Sequence, residues 1–399
     1  MELLDKEIKN EVLASMIKII ENNRDEILKA NKKDLEAFNK DDQALYDRLV
    51  VNNEKIDGMI KAINEVKSQD DPVSREISNK KLDNGLNIIN KTAPFGTILI
   101  IYESRPDVTI EAAVLAFKAN NKILLKGGKE AFNSNKVLVD CWHKALKEND
   151  LETSWIKMLQ LNRSETQEFL KNPSEPLDLI VPRGGELLIK FVKENASCAV
   201  LVSGRGNNFL YIHPEANWEK TLQVIVNAKT DKISGCNALD KVLIDKRCAK
   251  YEQKLADLSK TLEALNVTML VDKQVKEVLK DKEEITTQKT WHEEFLALKI
   301  AIGAVEDMEE AIDKINTYSG GHSSSIMTKS KTAAHKFMEH VDSAAVYHNA
   351  STRFTDGGQM GVGAELAIST DKLHHRGPLG LKQLVTNKYY VYGDGQIRV

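Results

Sequence analysis

Hydrophobic residues recur at helical spacing through the first 84 residues of this 399-residue chain. Val12, Ile19 and Ile27 fall on one face of a helical repeat, while acidic and basic side chains fill the other face. The stretch contains a single glycine, Gly58, and a single proline, Pro72. It therefore predicts a run of amphipathic helices that ends near Pro72.

The pattern changes after residue 75. Residues 77–90 form two short runs around Asp83-Asn84-Gly85, which is typical of a β-hairpin. Beyond it, apolar runs alternate with helical patterns and predict strands at 97–102, 122–126, 177–181, 199–202, 210–212, 241–244, 298–304 and 324–327, with a further strand inside the range 154–161. Apolar strands separated by helices indicate parallel sheets covered on both faces. The predicted fold class is α/β, with two doubly wound lobes that meet near residues 204–206.

The composition excludes several classes of protein. The chain has 56 Lys and Arg against 59 Asp and Glu, a formal net charge of −3, which argues against nucleic acid as the main partner. A hydrophobic fraction of 42% is too high for a disordered chain, and the longest aliphatic run, near residues 98–101, is far too short to span a membrane. The first residues do not resemble a signal peptide, and the four cysteines lack zinc-ligand spacing. We expect a cytoplasmic protein with reduced thiols and no metal site.

Two segments share one form, in which an apolar strand is followed by a cation, two glycines and a helix. They are Lys126-Gly127-Gly128 and Arg183-Gly184-Gly185. Backbone N–H groups at such a turn can approach an anion at the positive end of a helix. The same residues also suit a tight strand-to-helix turn that binds nothing, and the pattern leaves both interpretations open.

Cys236 lies in a loop of small residues, 234–237, before the predicted strand 241–244. A nucleophilic cysteine needs an exposed position near N–H groups or a cation, and Lys229 and Lys232 are close in sequence. The alternative is a small buried hydrophobic residue.

The segment 347–358 is rich in polar side chains and turn residues. Arg353 can pair with a carboxylate, while hydroxyls such as Ser351 and backbone carbonyls can accept an ammonium group. The loop could therefore bind a small zwitterion, or it could be a solvated surface loop.

Longer motifs carry a resemblance to a known family. They are Ile101-Tyr102-Glu103-Ser104-Arg105-Pro106, Leu125-Lys126-Gly127-Gly128, Val181-Pro182-Arg183-Gly184-Gly185, Asn227-Ala228-Lys229-Thr230 leading to Cys236-Asn237-Ala238, and the stretches 341–349, 361–365 and 393–398. Over essentially its whole length the chain resembles the gamma-glutamyl phosphate reductases (glutamate-5-semialdehyde dehydrogenases) of the aldehyde dehydrogenase superfamily. The resemblance implies NADPH-dependent reduction of L-glutamyl 5-phosphate through a cysteine thioester, the second step of proline biosynthesis from glutamate.

The resemblance also implies roles for individual residues. Cys236 matches the nucleophile, Lys126 matches a lysine on the adenosine side of the cofactor, and Glu294 matches a glutamate on the nicotinamide ribose. We expect Asn237 to join backbone N–H groups in stabilising the oxyanion. The expected substrate contacts are Arg105, Ser351 and Arg353, and the expected cofactor contacts are Lys126, Gly127, Gly128, Arg183, Gly184, Gly185, Gly204 and Glu294.

The resemblance further implies three parts of the chain. Residues 1–204 would bind the cofactor and carry the oligomerising hairpin 77–90, and residues 205–366 would form the catalytic domain. Residues 367–399 would form a tail that packs on the cofactor domain or on a partner subunit. The implied assembly is a homo-oligomer that can associate with glutamate 5-kinase.

A few positions depart from the family. Lys232-Ile233 stands where the family usually has Arg-Pro, and Asn208-Phe209 stands where it often has Cys-His. Val202 replaces the glutamate of superfamily members that hydrolyse their thioester, and Ser104 lies near the position of their oxyanion asparagine. The last two departures fit a reductase that needs no activated water.

Two alternatives remain at this stage. One is an NAD(P)-dependent aldehyde dehydrogenase of broader substrate range, against which Val202 speaks. The other is a catalytically silent paralogue that binds the cofactor, against which the retention of Cys236 and of both Gly-Gly turns speaks.

Overall fold

The computed structural model describes residues 2–38 and 43–398, and the chain divides into two compact units. The first unit is Met1–Val202, Gly361–Ala367 and Leu379–Val399, and the second is Ser203–Met360 and Ile368–Pro378. No helix in the described ranges combines the length and the apolar composition needed to cross a membrane.

Helices and strands alternate from residue 97 to residue 200 and again from residue 208 to residue 348. The helices are α1 Lys6–Asn22, α2 Arg24–Ala37, α3 Gln43–Leu49, α4 Asn53–Ser68, α5 Pro106–Lys118, α6 Phe132–Glu148, α7 Arg163–Lys171, α8 Glu186–Asn195, α9 Trp218–Thr230, α10 Tyr251–Glu263, α11 Lys273–Val278, α12 Lys289–His292, α13 Met308–Tyr318 and α14 Lys331–His340. The strands are β1 Glu76–Lys81, β2 Asn87–Pro94, β3 Thr97–Tyr102, β4 Lys122–Lys126, β5 Ile156–Met158, β6 Leu179–Arg183, β7 Ala199–Val200, β8 Asn208–Ile212, β9 Leu239–Asp245, β10 Thr268–Val271, β11 Glu283–Glu284, β12 Lys299–Val305, β13 Ser323–Met327, β14 Ala345–His348, β15 Glu365–Ser369, β16 Gly377–Gly380 and β17 Val385–Tyr392.

A five-stranded parallel sheet forms the centre of the first unit, in the order β5-β4-β3-β6-β7. Ile98 and Ile100 of β3 pack among apolar residues of α1, α4, α5 and α6, whereas Leu99 and Ile101 pack with residues of α7 and α8. The sheet is therefore covered on both faces, as the continuous apolar run predicted. The strand order reverses between β3 and β6, and ligands of such sheets bind beyond the carboxyl ends of the strands at this point.

A separate antiparallel sheet has the order β1-β2-β17. The predicted hairpin is confirmed, and Gly85 in its turn has φ of +91°, a conformation that suits glycine. Ile77, Tyr389, Val391 and Tyr392 on this sheet are more than half exposed.

A seven-stranded sheet forms the centre of the second unit, in the order β11-β10-β12-β9-β8-β13-β14, with parallel pairs throughout. Alternate residues of β8 enter different cores: Leu210 packs with residues of α9 and α10, and Phe209 packs with residues of α13 and α14. The predicted doubly wound α/β class is thus confirmed for this unit as well.

Most predicted elements are present, with small differences at their ends. The N-terminal helical run ends at Ser68, a few residues before Pro72. The strand predicted inside 154–161 is confirmed as β5, which begins directly after the 3-10 turn Thr153–Trp155 that buries Trp155 against Phe117.

Candidate active site

Cys236 lies on an exposed turn of the second unit, between α9 and β9. The Gly235 N–H donates to the Lys232 carbonyl at 3.1 Å, and the Ala238 N–H donates to the Gly235 carbonyl at 2.9 Å. These two bonds place Cys236 at the outer part of the turn. Its exposure is unlike that of a structural thiol in an apolar core.

The side chain of Asn208, the first residue of β8, is hydrogen-bonded to the backbone of this turn. Its Nδ2 donates to the carbonyl oxygens of Cys236 at 2.8 Å and Ala238 at 2.6 Å, and its Oδ1 accepts the Ser323 N–H at 3.0 Å. The side chain is fully buried. In the sequence, Asn208 stands out only as a departure from the family. The available signal was a polar amide at the head of an otherwise apolar strand.

Gly206 allows the backbone before β8 to approach the Cys236 turn. A Cβ at this position would lie 2.1 Å from the Cys236 carbonyl oxygen and 2.5 Å from its Cα. No side chain fits there, so the glycine is required by close packing.

The predicted oxyanion donor Asn237 is already engaged. Its Nδ2 donates to the carbonyls of Arg353 at 3.1 Å and Thr355 at 3.0 Å, and its own carbonyl accepts from the Thr352 hydroxyl at 2.8 Å. Because both amide hydrogens have acceptors, the side chain joins the Cys236 turn to the segment 352–355.

Arg353 lies against the residue that precedes Cys236. Its Nη1 is 2.8 Å from the position that a Cβ on Gly235 would occupy, and its Nε donates to Asp231 Oδ2 at 3.0 Å. Ser351 is 5% exposed, and its hydroxyl accepts the Arg353 N–H at 3.3 Å, so it caps the 3-10 turn Thr352–Phe354. The segment is thus packed against the cysteine turn and is not a solvated surface loop.

A buried polar chain continues behind this segment. The Thr355 hydroxyl lies 2.8 Å from the Tyr347 hydroxyl and 2.7 Å from that of Ser323, which is 2.7 Å from His322 Nδ1. Burial lowers the pKa of His322 to about 4, so the ring is neutral at pH 7. Hydrogen bonds of this kind keep the wall of the site rigid.

The other predicted residues of the second unit are Gly204 and Glu294. A Cβ on Gly204 would lie 2.4 Å from Thr370 Cγ2 and 2.5 Å from the Gly320 carbonyl oxygen, so packing within the unit already requires a glycine. Glu294 follows α12 and is half-buried, and its neighbours in sequence are held by buried side chains of β9.

Lys126 and the Gly127-Gly128 turn lie at the carboxyl end of β4 in the first unit. A Cβ on Gly128 would lie 2.0 Å from Glu130 Oε1, which itself accepts the Ser104 N–H at 2.8 Å and its hydroxyl at 2.7 Å. The protein's own carboxylate occupies this turn, which favours the tight-turn interpretation for Gly128. Burial lowers the pKa of Lys126, while Glu130 and Glu103 act in the opposite direction.

The second Gly-Gly turn is more open. Glu103 Oε2 accepts the Gly185 N–H at 3.3 Å, but nothing lies within 4 Å of the position that a Cβ on Gly185 would occupy. Gly185 is the N-cap of α8, which carries no side-chain cap bond. The positive end of a ten-residue helix therefore borders open space.

Arg105 and Arg183 belong to one charged cluster of the first unit. Arg105 pairs with Asp107 at 2.9 Å, and Arg183 donates to the Leu366 carbonyl. Burial, followed by the neighbouring Arg105, lowers the pKa of Arg183. Burial tends to raise the pKa of Asp107, but Arg105 holds it below its ordinary value. The bond to Leu366 joins Arg183 to a distant segment of the same unit.

The second unit therefore assembles Cys236, Asn237, Ser351 and Arg353 around one turn. Lys126 and the two Gly-Gly turns lie at the carboxyl ends of β4 and β6 in the first unit. Among the described residues, no group of three or more His, Cys, Asp or Glu side chains is arranged to hold a metal ion.

Known proteins are similar to this chain over nearly its whole length. A gamma-glutamyl phosphate reductase of Persephonella marina is 41% identical over 98% of this chain and 90% of its own length. The chain belongs to the gamma-glutamyl phosphate reductase family. The aldehyde dehydrogenase family model matches residues 278–365, within which Glu294, Ser351 and Arg353 fall.

Solved structures of the family and of the wider superfamily share the fold. The gamma-glutamyl phosphate reductase of Thermotoga maritima is 40% identical and superposes with a TM-score of 0.94, covering 99% of this chain and 95% of its own. An acetylating aldehyde dehydrogenase of Geobacillus thermoglucosidasius is 19% identical with a TM-score of 0.69, covering 99% and 94%. The aldehyde dehydrogenase-like fold class is thereby confirmed, and the chain is an oxidoreductase of the aldehyde dehydrogenase type.

That fold implies a nicotinamide cofactor, and the donors of the first unit fit one. Lys126 supplies a cation, and the N-terminus of α8 contributes the positive end of a helix beside the open space at Gly185, whose own N–H donates to Glu103. The carboxylates of Glu103 and Glu130 beside these turns can accept hydrogen bonds from ribose hydroxyls.

Proposed function

We propose that the protein reduces L-glutamyl 5-phosphate to L-glutamate 5-semialdehyde and phosphate with NADPH, the second step of proline biosynthesis from glutamate. The observation that carries the proposal is the exposed Cys236 on a turn that Asn208 and Gly206 hold rigidly. Its relatives bear the name of this activity at about 40% identity over nearly the whole chain.

Cys236 acts as the nucleophile. Its thiolate forms a bond to the γ-carbonyl carbon, and the C–O bond to the phosphoryl group breaks, so that phosphate leaves with the bonding electrons. The product on the protein is a thioester. The backbone N–H of Asn237 is the proposed donor to the oxyanion of the tetrahedral intermediate, because the N–H groups of Gly235 and Ala238 already have acceptors within the turn.

Arg353 and Arg105 bind the anionic ends of the substrate, the phosphate and the α-carboxylate. Asp231 fixes the Arg353 guanidinium at 3.0 Å, which reduces the entropy lost when the substrate binds. Ser351 supports this site by capping the turn on which Arg353 lies.

The proposed cofactor contacts are Lys126, Gly127, Gly128, Arg183, Gly184, Gly185, Gly204 and Glu294. When it is bound, the reduced nicotinamide supplies the hydride that converts the thioester to the aldehyde. The C–S bond then breaks and Cys236 regains its thiolate. Val202 cannot activate a water molecule, so the thioester is protected from hydrolysis.

We further propose that the enzyme is a cytoplasmic homo-oligomer that can associate with glutamate 5-kinase. Residues 77–90 would supply the subunit contact, and residues 367–399 would form the tail. The exposed apolar side chains of the β1-β2-β17 sheet support an intersubunit role for this region.

The reverse reaction tests the proposal. Glutamate semialdehyde and NADP are mixed rapidly with the enzyme, and NADPH formation is followed with and without phosphate. We expect about one turnover per active site without phosphate, because the thioester then has no acceptor, and continuous turnover with phosphate or arsenate.

Steady release of glutamate in phosphate-free buffer, at a rate near the phosphate-driven one, would overturn the proposal. The enzyme would then be a hydrolytic aldehyde dehydrogenase. Binding of NADPH without any turnover under either condition would instead indicate a silent paralogue.

A further inference from the structure

Two adjacent residues of β9 hold the backbone on either side of Glu294. Lys241 Nζ donates to the Glu293 carbonyl at 2.7 Å, and Asp240 Oδ2 accepts the Phe295 N–H at 2.8 Å. Lys241 Nζ also lies 3.6 Å from the centre of the Phe295 ring, within the range of a cation–π interaction. Both peptide groups that flank Glu294 are thus fixed by buried charged side chains.

These charges are placed where a strand ordinarily carries apolar residues. Asp240 is 2% exposed and Lys241 is fully buried, at the centre of the seven-stranded sheet. Lys229, also fully buried, pairs with Asp240 Oδ1 at 2.9 Å. Burying charge is unfavourable unless each group is paired, and an apolar replacement is often no less stable. Stability alone therefore does not account for this cluster.

Two further side chains, those of Asn207 and Arg205, bind the backbone just before Glu293. Asn207 Nδ2 donates to the Trp291 carbonyl at 2.6 Å, and Arg205 donates to the His292 carbonyl at 3.2 Å. The residue after Phe295, Leu296, has φ of +49°, which is costly for a branched side chain and persists only where neighbouring contacts impose it. The described side chains thus bind the backbone of this segment at four residues, Trp291, His292, Glu293 and Phe295.

We propose that Asp240 and Lys241 are positioning residues that aim the Glu294 carboxylate at the cofactor's ribose. The inference rests on the proposed function, because it takes from it the role of Glu294 as a ribose ligand. A carboxylate that accepts ribose hydroxyls must be held in one orientation to contribute its full binding energy. The clamp on Glu293 and Phe295 provides that orientation without touching the ligand.

A double-mutant cycle on the full-length protein tests this. The variants are Lys241→Met, which keeps the length and apolar stem of the side chain, Glu294→Ala, and the two combined. The dissociation constant for NADPH is measured by the fluorescence of the bound nucleotide, beside KM and kcat. Lys299→Met is the matched control, because its ammonium also lies over the Phe295 ring, at 5.0 Å.

We expect each single variant to weaken NADPH binding about tenfold, as the loss of one or two hydrogen bonds does. The double variant should bind NADPH as tightly as whichever single variant has the higher dissociation constant, because a positioning residue acts only through Glu294. KM for NADPH should rise more than kcat falls, and Lys299→Met should bind NADPH as the wild type does.

Fully additive effects in the double variant, or unchanged NADPH binding in folded Lys241→Met, would overturn the positioning role and leave the proposed function intact. Unchanged binding in Glu294→Ala would overturn the ribose contact itself, and this inference with it. If Lys241→Met does not fold, Lys241→Gln replaces it in the same cycle, since the amide tolerates burial and is too short to reach Glu293 as lysine does.

Discussion

The side-chain amide of Asn208 donates to the carbonyl oxygen of Cys236 at 2.8 Å. This bond ties an exposed turn to the first residue of a strand in the middle of the seven-stranded sheet. The position of Cys236 is therefore fixed relative to an interior strand of its unit.

Replacement of Asn208 should damage both stability and turnover. Asn208→Leu removes the buried amide and leaves the carbonyls of Cys236 and Ala238 without their donor. Each unsatisfied buried group costs about 1–3 kcal/mol, so we expect the free energy of unfolding to fall by about 3 kcal/mol. Urea unfolding measures this fall, and kcat should drop at least tenfold in the same preparation.

The control is Asn217→Ala, which removes the N-cap of α9 in the same unit. It should lower the free energy of unfolding by about 1 kcal/mol with little effect on kcat. Equal effects of the two variants on kcat would contradict a specific role for Asn208.

Loss of the thiol should abolish the chemistry and spare cofactor binding. In Cys236→Ser the hydroxyl is a much weaker nucleophile than a thiolate, so turnover should fall by more than a thousandfold while the NADPH dissociation constant stays within about twofold. Cys198→Ser serves as control, because Cys198 is a partly exposed thiol of the first unit. A Cys236→Ser enzyme within a few-fold of wild-type activity would exclude this nucleophile.

Lys126 should matter for cofactor affinity more than for rate. Lys126→Met removes the cation at the carboxyl end of β4, and KM for NADPH should rise about tenfold with little change in kcat. Lys122→Met changes a lysine at the opposite end of the same strand, where it bonds Ser154 at 3.4 Å, and should leave KM unchanged. The cofactor contact is wrong if the two variants give the same KM.

His322 should make the protein sensitive to acid. Its pKa in the folded protein is about 4 because the ring is buried, whereas an unfolded histidine titrates near 6.5. The unfolded chain therefore binds an extra proton between these values. The part of the free energy of unfolding that depends on neutral His322 is fully present above pH 6.5. Up to about 3 kcal/mol of it is lost as the pH falls through 4.

Urea unfolding at a series of pH values checks this. His322→Gln should flatten the loss of stability between pH 6.5 and 4 relative to the wild type. His335→Gln, which changes an exposed histidine of α14, should keep the wild-type slope. An unchanged slope in His322→Gln would show that other groups cause the acid sensitivity.

The sequence by itself determined the class of fold and most of its elements. The apolar run 97–102 became β3 at the predicted residues, since a strand buried on both faces must be apolar along its whole length. The hairpin around Gly85 could also be predicted from neighbouring residues alone, because a turn with positive φ depends on the residue that occupies it. Cys236 could be singled out as well, because its loop of small residues is a local feature of the sequence.

Only the tertiary structure decided which residues hold the site in place. Asn208, Gly206, Asp231 and Lys241 are separated from the residues they support by 28 or more positions, so no local pattern shows which residues they support. The tertiary structure also decided how the Gly127-Gly128 turn is filled. The Glu130 carboxylate occupies the space beside Gly128, and the spacing of residues in the sequence does not predict this contact. Contacts between distant segments arise when the sheets assemble, and each is specified by packing and by the need to pair buried polar groups.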